Sequence, residues 1–214
     1  LNGRQFKVAG VATNTFQLQD MDGNNFDTSS LTAYASAGTA FRVYQITSPY
    51  TTDQLFDIKF AQSADVMYLV HPSVAIQKLT RTGHTSWSIG ACTITGSPNP
   101  SLSSTDNFPS SVTFYEQRLV FAGTNNNPQS LFFSVAGSYE NFATGTNATD
   151  AMIYTIASNQ VNAIRFLSAS TQLLIGTTGG EFIATSGSNS EPITPTNIQI
   201  TRQTNYGAAN VDAI

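Results

Sequence analysis

The chain has 214 residues, with 9 basic and 13 acidic side chains and a net charge of −4. Charged residues make up 10%, against about 25% in an ordinary soluble domain, while Thr, Ser, Asn and Gln together fill 81 positions. This excludes a disordered acidic tail, because 40% hydrophobic residues are spread through the whole chain. It also excludes a helical membrane span, for which no apolar run is long enough, and a cationic surface for gripping nucleic acid.

Strand-forming residues dominate, and Gly, Asn, Pro and Ser clusters interrupt them every 8–12 residues or so, the spacing of an all-β sandwich, barrel or propeller. Leu31–Ala37 is the best helical candidate. Residues 1–46 read as a separate small β module, barrel-like, with alternating strands at Arg4–Val8, Thr15–Gln19 and Phe41–Ile46. Asp20-Met21-Asp22-Gly23-Asn24 resembles the opening of a calcium loop. It places Leu31 where the bidentate acid belongs and its glycine too early, so it reads as a hairpin turn.

Ser48-Pro49-Tyr50 breaks the pattern, and from there a repeat begins. Asp57–Gln62, Val112–Gln117 and Ala163–Ser168 are strand-like segments centred on Phe60, Phe114 and Phe166, spaced 54 and 52 residues apart. Each precedes a strongly apolar strand: Val66–Val70, Leu119–Ala122 and Leu173–Gly176. Two more short strands follow in each repeat: Ile76–Arg81 with Trp87–Ile89, Ser130–Val135 with Tyr139–Phe142, and Glu181–Thr185 with Ile198–Thr201. Four strands at a period near fifty residues suit propeller blades, in which the apolar second strand is covered on both faces. A β-sandwich of unrelated hairpins is the alternative. Residues 47–214 are thus expected to form about three propeller-like blades. That is too few for a closed ring, so the chain is read as part of a longer one whose remainder supplies the rest.

Catalytic and metal chemistry find little to work with. Cys92 is the single cysteine, so neither an intrachain disulfide nor a thiolate cluster is available. His71 and His84 lie at no common zinc spacing, and no Gly-x-Ser-x-Gly elbow occurs among the many serines. Gly176-Thr177-Thr178-Gly179-Gly180 lacks the Lys-Ser/Thr of a phosphate loop and reads as a hairpin turn. Asn147-Ala148-Thr149 is a glycosylation sequon of the kind such a composition produces by chance. No catalytic residue, metal site or cofactor is expected. Trp87 and the tyrosines are read as packing residues before sugar platforms.

The run from Phe114 through Arg118 and Asn125-Asn126-Asn127-Pro128-Gln129 to Tyr139-Glu140-Asn141-Phe142 resembles a signature of tail nozzle proteins of short-tailed bacteriophages, also called tail tubular protein B or head-to-tail stabilisation proteins. Phe60–Pro72 and Thr201–Gly207 fit the same pattern, so the resemblance covers most of residues 48–210. Residues 1–46 are similar to the small β module such proteins share with the first catalytic-cysteine half-domain of ubiquitin-activating enzymes. No adenylate loop accompanies it, and Cys92 lies outside it.

The resemblance implies a non-enzymatic virion protein of the phage tail, a homo-hexamer extending the tail tube below portal and adaptor and helping to anchor fibres. DNA would pass through it without specific binding. Within that expectation Arg118 and the Asn125–Gln129 turn hold blade geometry, Arg118 by satisfying turn carbonyls. The alternatives are a glycan-binding tail protein, or a polysaccharide-degrading one with paired carboxylates among Asp57, Asp65 and Glu116.

Overall fold

The computed structural model describes residues 3–32, 39, 43–102, 106–157, 160–188 and 191–211. The chain divides into two compact units, Leu1–Val43 and Tyr44–Ile214.

The first unit holds, among its described residues, one antiparallel pair, β1 (Lys7–Ala9) and β2 (Gln17–Gln19). The barrel-like module is thus represented by a hairpin, and no strand occurs at 43–46. The helical candidate Leu31–Ala37 and the start of Phe41–Ile46 lie largely outside the described residues. Asp20 closes a turn by accepting from the backbone N–H groups of Asp22 and Asn24 and from the Asn24 side chain. Those bonds, the Asn24 backbone first, hold its carboxyl below the usual range. An Asp that folds back on its own loop makes a turn. Phe6 and Phe26 meet edge to face at 5.0 Å, with the Arg4 guanidinium over both rings.

The second unit opens with a short 3-10 helix, Thr52–Asp57, capped by Thr51 and Gln54, and then runs, among the described residues, through twelve strands. Blade one is β3 (Lys59–Ser63), β4 (Val66–His71), β5 (Val74–Gly83) and β6 (Ser86–Ala91). Blade two is β7 (Pro109–Tyr115), β8 (Arg118–Thr124), β9 (Ser130–Phe133) and β10 (Met152–Thr155). Blade three is β11 (Ile164–Ala169), β12 (Leu173–Thr177), β13 (Gly180–Thr185) and β14 (Gln199–Thr204). Each is a four-stranded antiparallel meander in chain order, and the three sheets do not close into a barrel. The first strands lie side by side, β7 packing against β3 on one flank and β11 on the other. That is the order of innermost strands around a propeller axis.

Two apolar seams hold the blades together. Between blades one and two lie Tyr68, Val70, Ile76, Leu119, Phe121, Phe132 and Phe142. Between blades two and three lie Val120, Ala122, Leu131, Phe133, Leu173, Ile175 and Phe182. The period of two along a strand explains the split: on β8, Leu119 and Phe121 face blade one while Val120 and Ala122 face blade three. Every residue of β8 and β9 is consequently buried. Gly123, at φ +67°, allows a close approach between blades two and three: a Cβ there would lie 2.6 Å from Ser110 Oγ and 2.8 Å from the Ile164 carbonyl.

One expected strand is corrected. Tyr139–Phe142 is not the fourth strand of blade two, because β10 pairs with β9 in that place, Met152 opposite Phe133 and Thr155 opposite Ser130. Tyr139–Phe142 instead straps blade two to the tail of blade one, with a parallel bridge between Thr95 and Asn141. The physical reason is burial. Phe142 is fully enclosed and stacks on Phe121 at 5.7 Å, in the seam rather than at a sheet edge.

Candidate functional site

The motif residues gather at the two seams of blade two. Arg118 begins β8 directly after the Glu116-Gln117 turn, whose two residues both adopt positive φ, the geometry a two-residue hairpin needs. Its buried guanidinium donates through Nη1 to the carbonyls of Ser134 and Asp150 at 2.7 Å and Thr149 at 3.3 Å, and through Nη2 to Ala148 at 2.6 Å. One side chain thereby ties down both ends of the long β9–β10 connection. Burial pushes its pKa down, opposed by Glu116 and Asp150 nearby. The unfavourable turn conformation is itself held: Glu116 Oε2 accepts from the Ile193 N–H at 2.5 Å, and the Gln117 carbonyl accepts from Gly137.

The Asn125–Gln129 turn reaches both neighbouring blades. Asn125 donates to the carbonyls of Pro72 at 2.7 Å and Asp106 at 3.0 Å. The Asn126 N–H donates to Asn107 Oδ1, and the Asn127 N–H to Thr124 Oγ1. The Pro128 carbonyl accepts from Ile164 of blade three, and Gln129 donates to the Ile156 and Gln160 carbonyls.

The strap supplies the polar centre of the first seam. Glu140 accepts from Tyr68 Oη at 3.0 Å and pairs with Lys78 of blade one, while its carbonyl accepts from the Thr95 N–H. Tyr139 meets Phe114 edge to face at 5.0 Å, and Phe114 in turn meets Tyr68. Asn141 caps its own turn, accepting from the Ala143 N–H. Burial, then Glu140, push the Tyr68 hydroxyl up, and the same two causes raise the Cys92 thiol to about 12. A thiol so raised stays protonated and is a poor nucleophile.

The remaining candidates do not converge. His71 is buried, accepts from the Ser73 N–H and lies edge to face with Tyr50, whereas His84 contacts Arg81. Asp57 and Asp65 lie at opposite ends of β3, Asp65 pairing with Arg81 and Glu116 held by Ile193. Among the described residues no group of three His, Cys, Asp or Glu side chains is placed to hold a metal, and no helix is long and apolar enough to cross a membrane. Sequence reasoning missed Lys78, Tyr68 and Ser134 at the seams. Only the repeat register carried a signal for Tyr68 and Lys78, which lie opposite each other on the face of β4 and β5 turned toward blade two, while Ser134 follows the end of β9.

The fold and its seams define a stack of propeller-like blades locked together by backbone-directed polar side chains. No family model matches the chain, and no curated protein is detectably similar to it.

Proposed function

We propose that the chain is a structural subunit of a phage tail nozzle, a ring-forming virion protein through which the genome passes. The observation that carries this reading is the asymmetry of blade burial. Blade two is covered on both faces, whereas the outer faces of blades one and three leave Met67, Leu69 and Leu79, and Phe166, Leu174 and Ile183, only partly buried. Phe60 and Trp87 on the first of these faces are exposed. Such end faces are made for further blades, in the same chain or a neighbouring subunit. The nozzle resemblance of residues 48–210 supplies the particular assembly, and the low charge suits a conduit that a polyanion crosses without sticking.

A glycan-reading surface is served less well. The single indole, Trp87, already has the Arg81 guanidinium over its ring at 5.8 Å and donates to the His84 carbonyl. Electron microscopy of the full-length protein tests the proposal. Sixfold rings with an open axial channel are expected, and a monomer or trimer overturns it.

A further inference from the structure

We propose that a cleft where the three blades meet binds a small zwitterion of the free amino-acid class. The cleft is open to solvent and has a volume of about 280 Å³. Asp57 and Pro72 come to it from blade one and its leading helix, Thr124 and Asn125 from blade two, Ile164 and Arg165 from blade three.

Arg165 is unusually placed. In the pairing of β11 with β12, Ile164 lies opposite Thr177 and Phe166 opposite Gly176, so Arg165 is the residue skipped by the ladder. Bulges of this kind re-aim a side chain and recur beside binding sites. Its carbonyl is held from both other blades, accepting from Lys59 Nζ of blade one and from Ser111 Oγ of blade two at 3.0 Å. The backbone is thus fixed, yet the guanidinium has no acceptor among the described residues. Asp57 contributes a carboxylate to the same cleft, likewise with no ionic or hydrogen-bonded partner among them.

Two opposite charges that share a cleft without pairing match a ligand carrying both. A guanidinium takes a carboxylate through paired N–H groups, and a carboxylate takes an ammonium. A singly charged ligand leaves one of the two unanswered, while a zwitterion answers both and leaves the net charge of the site unchanged. Asn125 spends its two amide N–H groups on the Pro72 and Asp106 carbonyls. Its Oδ1 therefore remains to accept from the ammonium. Pro72 and Ile164 supply apolar wall for an aliphatic side chain. The volume lies just below the usual range for ligand sites, about 300–1,000 Å³, which suits one free amino acid and not a peptide. This inference is independent of ring assembly.

The test is ligand-observed NMR on the full-length protein with single L-amino acids, using acetate, methylammonium and glucose as comparators. At least one amino acid binds more tightly than any comparator, and Arg165→Gln and Asp57→Asn each weaken it about tenfold, the loss of one charge-assisted contact. Asp53→Asn, on the same helix but outside the cleft, leaves binding unchanged. Absence of binding at millimolar concentration overturns the proposal, as does acetate binding equally well or affinity that survives both cleft substitutions. Asp57 is exposed and its carboxylate holds nothing among the described residues, so Asp57→Asn decides the matter even where Arg165→Gln unfolds the chain.

Discussion

Arg118 answers four backbone carbonyls from a single buried guanidinium, and the fold around it depends on that geometry. Replacement by alanine leaves the Ser134, Ala148 and Asp150 carbonyls without their donor and removes the tie across the β9–β10 connection. The expected cost is about 3 kcal/mol, since each part-buried polar group left unmade carries its own desolvation penalty. Lysine keeps the charge but offers a point donor in place of a fork, so Arg118→Lys recovers only part of the loss. Urea denaturation of the two variants beside the parent measures both effects, and equal stability of all three would show that the carbonyls are met by water instead. The role of such a residue is half legible in sequence. A lone Arg opening an apolar strand needs acceptors when buried, but which carbonyls come to it depends on a loop that begins 16 residues later at Ser134.

At the scale of elements, the blades were legible because period-two alternation and the regular return of apolar second strands are set by local chemistry. β4, β8 and β12 fall where those apolar runs fall, since a second strand that is apolar on both sides has no polar face to confuse the reading, although only β8 is covered on both faces here. The fourth strand of blade two was misplaced for a specific reason. Tyr139–Phe142 has strand-like residues at the expected distance, while Met152–Thr155 follows an extra loop that fixed spacing does not anticipate. What separates the two is tertiary: Phe142 finds Phe121 across the seam, and Thr95 N–H and Oγ1 find the Glu140 carbonyl. The strap should therefore behave as core. Phe142→Ala is expected to cost about 3–5 kcal/mol, well above Tyr154→Ala on the half-buried edge strand β10. Thermal melts of the pair check this, and a Phe142→Ala cost no larger than that of Tyr154→Ala would return Tyr139–Phe142 to a peripheral role.

For the molecule as a whole, neighbouring leucines on one strand separate what holds the unit together from what its end faces are for. Leu173 is fully buried in the seam with blade two, while Leu174, next along β12, points to the open face of blade three beside Ile183. Leu173→Ser opens a cavity in the shared core and buries a hydroxyl, at a cost of about 3–5 kcal/mol. Leu174→Ser removes a side chain that the described residues only partly cover, at about 1 kcal/mol or less. If further blades cover that face in the assembled ring, the order reverses for assembly: Leu174→Ser subunits fold but no longer form rings, because the new hydroxyl meets an apolar neighbour. Circular dichroism melts paired with electron microscopy read the two quantities separately. Rings formed normally by Leu174→Ser would mean that the outer face of blade three is a finished surface, and the contacts that build the ring would then have to lie at the blade edges and loops.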